Sequence, residues 1–258
     1  MTTTPEKDHL TLHLRDLPFF RALVRSVEAS YYQDLQLDGP ILDLGCGDGH
    51  FASLTFDQKV DVGLDPWHGP IHEARKRDCY RLLVEADAGR SPFADATFGS
   101  AFSNSVLEHI PHVEEVLKEA SRVLKPGALF AFCVPNPAYF SSLSITSILG
   151  ERYENWFRRI SRVEHADDPV VWEERLIDAG FELERWWHYF PPAAMRVLEW
   201  GHYFGLPSWI IHAVTGKWIL VKDHWNLSLT DKLIRPFSGN QAVQDGTFTF
   251  YLARKPGG

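Results

Sequence analysis

The chain has 258 residues, 45% apolar and 23% charged, values that exclude a disordered, collagenous or disulfide-stapled protein. Its 26 basic and 34 acidic residues leave a net charge of −8, so nucleic acid is not expected as the main partner, because neutralising phosphates needs a basic face. Cys46, Cys79 and Cys133 form no C-x-x-C pair, so neither a metal site nor a disulfide framework is predicted.

Residues 1–8 read as a frayed end, and MTTTPEKDHLTL has no charged-then-apolar signal layout. With no run of about 20 apolar residues, the chain is expected in the cytoplasm. Phe19, Phe20, Leu23, Val24 and Val27 recur at helical spacing within 9–35. PILDLG (40–45) is a short apolar run closed by glycine and predicts a buried strand. A helix opens over 48–55, a second strand covers 59–65, a charged helix 70–78, a third strand 80–87 and a fourth 99–104. Val113, Val116, Leu117, Ala120 and Leu124 fall on one side of a helix over 112–124, which Pro126-Gly127 stops before a fifth strand at 128–134. Further on, 171–179 predicts a helix with Gly180 as its left-handed cap, and 182–190 and 246–255 predict strands.

Strand and helix alternate throughout 40–134, which implies parallel strands joined by right-handed crossovers. The expected fold is α/β, a doubly wound, Rossmann-like open sheet that takes ligands at the carboxyl ends of its strands. Residues 1–38 are expected to form an N-terminal helical cap, and 39–190 with 246–258 the sheet domain. Residues 191–245 exceed an ordinary connection and predict a helical insertion before the last strand. Within it, Val197, Trp200, Gly201 and Phe204 share one helical face, Gly205 and Pro207 end that helix, and Ser208 caps another through Val214, with Gly216 beyond.

The chemistry concentrates in Asp43-Leu44-Gly45-Cys46-Gly47-Asp48-Gly49, directly after the first strand. Three glycines at alternate positions let the backbone turn sharply and approach a ligand closely. The helix behind them presents free amides to an anion. Asp65 ends the second strand, twenty residues after Gly45, where a carboxylate can accept both hydroxyls of a ribose. Asp87 ends the third strand, placed to accept from an adenine amino group.

With these residues in order, the chain resembles class I S-adenosylmethionine-dependent methyltransferases of the small-molecule type. The likeness runs through ILDLGCGDGHFA (41–52), DVGLDPWHGPIHEAR (61–75), EADAGRSPFADATFGSAFSNSVLEHI (85–110) and VLKEASRVLKPGALFAF (116–132). It implies a seven-stranded sheet with an antiparallel last strand, and S-adenosyl-L-methionine as cofactor. It places Gly45, Cys46 and Gly47 along the methionine part, Asp65 at the ribose with Pro66 and Trp67 beside it, and Ala86, Asp87 and Ala88 around the adenine. Asn104 and Ser105 border the methionine end, with His109 nearby, and Asp43 resembles the acidic residue that orders the glycine loop. Two positions depart from the family: Phe98-Gly99 stands where Phe-Asp is common, and Trp67 where a small residue is. Trp67 is read either as a stacking partner for adenine or as a core residue.

A sulfonium methyl is already a good electrophile, so the protein must mainly align the acceptor and exclude water. A hydroxyl acceptor would profit from a base. His165, after strand five, and His109 are the candidates, each weighed against a packing or wall role. Tyr31, Tyr139 and His165 are candidates for the substrate side, Tyr31 and Tyr32 are placed to close over the cofactor, and Arg75-Lys76-Arg77 reads as a solvated helix face. His188, His202, His212 and His224 have no metal-ligand spacing and are assigned to packing. Eight of nine tryptophans lie between Trp156 and Trp225, and from Trp186 to Trp225 the charged residues are Arg196, Glu199, Lys217, Lys222 and Asp223 alone. That stretch is read as an insertion core or dimer interface, or as a lid or peripheral membrane contact.

The expected activity is methyl transfer to a small or lipophilic metabolite, a natural product, sugar or lipid-like acceptor, by a monomer or homodimer. A membrane-peripheral lipid or isoprenoid methyltransferase and a non-catalytic nucleoside-binding partner subunit are the alternatives. A nicotinamide oxidoreductase is disfavoured: the spacing is G-x-G-x-G, not G-x-G-x-x-G, and no Tyr-x-x-x-Lys pair follows strand four.

Overall fold

The computed structural model describes residues 7–204, 214–215, 218–219, 222 and 224–257. A seven-stranded sheet organises them, in the order β3-β2-β1-β4-β5-β7-β6. The strands are β1 Ile41–Leu44, β2 Val60–Asp65, β3 Tyr80–Glu85, β4 Phe98–Asn104, β5 Leu124–Pro135, β6 Glu182–Tyr189 and β7 Phe248–Arg254. β1 pairs parallel with β2 and β4, and β7 runs antiparallel to both β5 and β6. Strand order therefore reverses between β1 and β4, where a doubly wound sheet opens its ligand crevice.

Helices cover both faces of the sheet. One carries α1 (His9–Leu14), α2 (Phe19–Gln33) and α3 (His50–Thr55), with Tyr32, Phe102 and Phe250 in a shared core. The other carries α5 (Val113–Val123) and α9 (Pro169–Asp178), packed through Leu117, Ala120, Trp172 and Leu176 onto Phe130 and Phe132. Phe130 and Phe132 serve this layer while Ala131 and Cys133 serve the opposite one, the period-two alternation of a strand buried on both faces. Each fully buried Val or Leu of such a face contributes about 1.5–3 kcal/mol. α4 spans His68–Arg77.

Several expectations need correction. The 9–35 pattern is two helices, because Pro18 cannot donate into a helical turn and drives Leu17 out of the helical region. Pro126-Gly127 does not separate α5 from β5. The strand starts at Leu124 and bulges there, with Gly127 at φ +80° and the register jumping between Phe98↔Leu124 and Ser100↔Leu129. Three helices have no counterpart in the sequence reading: α6 (Ala138–Ser141), α7 (Thr146–Leu149) and α8 (Glu151–Ser161). Between β6 and β7 lie α10 (Pro192–Phe204) and α11 (His224–Ile234). On α10 the buried face is Ala194, Met195, Leu198, Glu199 and Gly201, whereas Trp200 is exposed, because Gly201 lets Phe20 of α2 approach the helix axis. The predicted Gly205–Pro207 stop and the cap at Ser208 lie outside the described residues, as do His212, Gly216 and the side chains of His202, Phe204 and His224. Among the described residues no helix is long and apolar enough to cross a membrane.

The Phe98-Gly99 departure has a steric cause. A Cβ at Gly99 would stand 2.6 Å from the carbonyl oxygen of Gly39 and 2.7 Å from that of Asp38, so no side chain fits at this point of β4.

Candidate functional site

After Leu44 the chain passes Gly45, Gly47 and Gly49 at φ +83°, +53° and +71°, conformations that favour glycine. The amides of Gly45 and Cys46 both donate to the Leu64 carbonyl, at 2.8 and 2.9 Å, folding the loop over the end of β2. The Asp65 carboxylate secures the next step: Oδ2 accepts from the Gly47 amide and Oδ1 from the Trp67 amide, each at 3.0 Å. Burial raises the Asp65 pKa, and the two amides oppose that shift. Asp43, which the resemblance assigned to ordering this loop, instead accepts from the Tyr80 hydroxyl at 2.6 Å.

α3 begins only at His50 and is six residues long, so the loop amides, more than a helix dipole, present donors here. His50 is buried, and burial together with Arg77 pushes it down to about 4. Arg77 is not the solvated residue expected: its Nε donates to the Asp48 carbonyl at 3.0 Å and it closes the loop from outside.

A cavity of about 410 Å³ opens against this loop, at the strand-order reversal. Gly45, Cys46, Gly47, Asp65, Asn104 and Ser105 line it together. Asn104 and Ser105 end β4, and Ser105 is held at φ +50°, rare for a residue with a side chain. Val106 wedges under the loop: a Cβ on Gly45 would stand 2.4 Å from its Cγ1.

The opposite wall is α2, with Arg21 and Arg25. Between α2 and β4 sits Glu28, fully buried and absent from the sequence reading. Its Oε2 accepts from Arg25 Nη1 at 2.7 Å and Asn104 Nδ2 at 3.0 Å, and its Oε1 from Ser105 Oγ at 3.0 Å and Tyr189 Oη at 3.1 Å. One sequence signal existed: Glu28 follows Val24 by one helical repeat, a charge on an apolar stripe.

The other candidates lie outside this cavity. Trp67 is exposed, which removes its core reading, and Pro66 is exposed beside it. Ala86, Asp87 and Ala88 follow β3, where the Ala86 amide donates to the Asp65 carbonyl at 3.2 Å and Asp87 Oδ1 accepts from the Gly89 amide at 2.7 Å. His109 Nδ1 is 2.7 Å from the Arg162 carbonyl and His165 Nε2 is 3.0 Å from the Ile110 carbonyl, so both rings tie loops together. Tyr31 meets the rings of Trp187, Tyr189 and Phe250 edge-on, and Tyr139 those of Phe140 and Phe248. Tyr32 is buried and donates to the Ser103 carbonyl at 2.8 Å. His188 Nδ1 lies 2.7 Å from Thr249 Oγ1. A depression of about 590 Å³ between α1, α2 and Arg235 carries no glycine loop, and both its Arg235 and its Lys7 are already paired, with Asp8 at 2.9 Å and Asp57 at 2.7 Å. Among the described residues no cluster of His, Cys, Asp and Glu could hold a metal ion.

Burial pushes the Asp43 carboxyl up to about 7, with Asp65 adding to the shift and Tyr80 opposing it. A carboxyl raised in the folded state binds more protons there than in the unfolded chain, so its contribution to stability is lost as pH rises through that value. Asp43→Asn keeps an acceptor for Tyr80 and removes this dependence. In thermal unfolding at pH 5 and pH 8, the variant is expected to gain on the wild type at the higher pH; a difference constant with pH would contradict the assignment.

Residues 42–132 match the family described as Methyltransferase domain. By this match residues 42–132 form a methyltransferase domain. Over 150 residues it is 31% identical to a malonyl-[acyl-carrier protein] O-methyltransferase of Legionella pneumophila, covering 53% of each chain. Over 100 residues it is 40% identical to sterol methyltransferase-like 3 of Botryococcus braunii, covering 35% of this chain and 25% of that protein. The match thus spans about half the length of the first relative and a quarter of the second. The fold of geranyl diphosphate C-methyltransferase from Streptomyces coelicolor is similar, with TM-score 0.56, 16% identity and coverage of 98% of this chain and 86% of that one. A possible histamine N-methyltransferase from Thermotoga maritima aligns at TM-score 0.57 and 18% identity, covering 92% and 90% of the two chains.

Proposed function

We propose that the chain transfers a methyl group from S-adenosylmethionine to a small, lipophilic acceptor. The observation that carries this reading is the cradle itself: left-handed glycines, the Gly47 amide bound to Asp65, and a cavity shared by that loop, Asp65, Asn104 and Ser105. The donor set suits the cofactor. A Cβ at Gly47 would meet nothing within 4 Å, which leaves that backbone face open to a ligand.

In this reading the Asp65 carboxylate, with lone pairs left after two amides, accepts the ribose hydroxyls. Arg21 and Arg25 on the facing wall suit the carboxylate of the methionine part, Asn104 and Ser105 border its sulfur end, and Ala86, Asp87 and Ala88 flank the adenine. S-adenosylmethionine supplies, when bound, a methyl on a sulfonium with a neutral leaving group. The chain's own work is to align an acceptor and exclude water. Because His109 and His165 are committed to backbone carbonyls, we read them as wall residues and neither as the base. Tyr31 and Tyr139, set among Trp187, Tyr189, Phe250 and Phe248, give the acceptor side an apolar, aromatic character. The names sterol methyltransferase-like 3 and geranyl diphosphate C-methyltransferase support a lipophilic acceptor, and malonyl-[acyl-carrier protein] O-methyltransferase supports methyl transfer alone.

Calorimetric titration with S-adenosylhomocysteine tests the reading. Asp65→Ala is expected to weaken binding about 10–100-fold, the worth of hydrogen bonds to a charged group at ~1.5–3 kcal/mol. Equal affinity for variant and wild type removes the ribose assignment, and absence of binding to the wild type overturns the function.

A further inference from the structure

We propose that the face built from α7, α8 and the outward side of α10 docks on an anionic membrane surface. The proposal goes beyond methyl transfer and does not depend on it, since docking is read without cofactor or acceptor. Five large apolar side chains stand exposed there: Ile148 at 80%, Leu149 at 58%, Trp156 at 43%, Ile160 at 42% and Trp200 at 43%. Arg152, Trp156 and Ile160 follow one another at four-residue spacing along the edge of the buried face of α8. Trp156 stacks on Tyr203 of α10 with ring centroids 6.0 Å apart, and Trp200 is 5.8 Å from the same ring, so the patch crosses from α8 to α10.

The platform beneath is buried and hydrogen-bonded. Tyr153 and Phe157 on the inner line of α8 are buried. Tyr153 Oη donates to Glu199 Oε1 at 2.6 Å, and Ser144 donates through both its amide and its hydroxyl to Glu199 Oε2, each at 2.6 Å. Glu199 thus ties α8, the Ser144 segment and α10 together, and Trp156 stacks on the buried Tyr153 ring at 5.7 Å while remaining partly exposed.

Charge selects the occupant. Residues 146–163 carry four arginines and two glutamates, a local excess of two positive charges on a chain of net −8. Arg158 is engaged by Glu154 at 3.6 Å and lies over the Phe140 ring, whereas Arg152 and Arg159 are exposed beside Trp156 and Ile160, and Arg196 is exposed one turn before Trp200. Tryptophan and isoleucine rimmed by arginine match the layered chemistry of a bilayer interface, apolar below and anionic above. A symmetric contact with a second copy would instead bring the same arginines together. The patch also adjoins the cavity: Gly201, next to Trp200, packs on Phe20, and Arg21 lines the cavity wall. An acceptor dissolved in lipid would have a short route to it.

Co-sedimentation of the full chain with vesicles decides the matter. Wild type is expected to pellet with phosphatidylcholine–phosphatidylserine vesicles and to stay in solution with phosphatidylcholine alone. Arg152→Glu with Arg159→Glu, and separately Ile148→Ser with Ile160→Ser, are each expected to weaken that binding at least tenfold at an unchanged thermal midpoint. Wild type that ignores serine-containing vesicles, or binds both kinds equally, overturns the proposal, and so do variants that bind like wild type. If vesicles are ignored and the isoleucine variant abolishes a concentration-dependent dimer or the binding of an acidic protein, the face serves that contact and the membrane assignment is wrong.

Discussion

Gly45→Ala is expected to disable the cofactor cradle and to destabilise the whole domain. The new Cβ would stand 2.4 Å from Cγ1 and 2.6 Å from Cγ2 of Val106, at φ +83°. The left-handed backbone costs an alanine about 1–2 kcal/mol, and forcing a methyl into a packed site a further ~1–3 kcal/mol. At roughly 2–4 °C per kcal/mol for a domain of this size, the midpoint should fall by on the order of 10 °C. Two comparisons separate strain from chemistry. Adding Val106→Ala removes both Cγ atoms and should restore part of the loss. Gly47→Ala, with open space around its Cβ, should cost only the backbone term while weakening S-adenosylhomocysteine binding. A Gly45→Ala protein that melts and binds like wild type would show that Val106 and the loop do not pack as described.

Glu28→Ala has the second large effect expected. It strips the shared acceptor from Arg25, Asn104, Ser105 and Tyr189 at once. Removing one partner of a buried charged network costs about 3–5 kcal/mol, because donors are left desolvated and unpaired. Differential scanning calorimetry should show a drop of roughly 6–20 °C. Glu28→Gln keeps the shape and one acceptor oxygen, so a smaller drop is expected. Affinity for S-adenosylhomocysteine should fall in both variants, since Asn104 and Ser105 line the cavity and take their orientation from this carboxylate. A midpoint unchanged in Glu28→Ala would mean that the four donors find water or one another.

Much of the frame was legible in the residues. The apolar runs that became β1 to β4, the striped α5 and the glycines at 45, 47 and 49 each express a rule acting over a few residues: strand burial, helical period, left-handed turns. Asp65 was legible as a strand-end carboxylate, though not in its bond to the Gly47 amide, because that pairing joins the loop after β1 to the end of β2. The region beyond β5 was not. α8 does carry an apolar stripe, Tyr153, Trp156, Phe157 and Ile160 at helical spacing, but the fold buries only Tyr153 and Phe157 and leaves Trp156 and Ile160 exposed, which spacing alone does not decide. Trp200 was placed on one helical face with Gly201, with core, interface, lid and membrane readings open, and it is exposed because a glycine, not a large side chain, makes the contact with Phe20.

By itself the sequence determined the α/β alternation and the turn chemistry of 45–49, since these are settled by neighbours in the chain, whereas the tertiary fold decided that Asp65 and not Asp43 secures the loop. Tertiary structure alone decided that Glu28 meets Asn104 and Tyr189, 76 and 161 residues away, that Arg21 and Arg25 face the glycine loop, and that Val106 needs Gly45 bare. The physical reason is that burial and hydrogen bonding depend on which surfaces the sheet brings together. A glutamate on an apolar stripe is a defect until the fold supplies its four donors, and a tryptophan is core or surface according to what packs beside it.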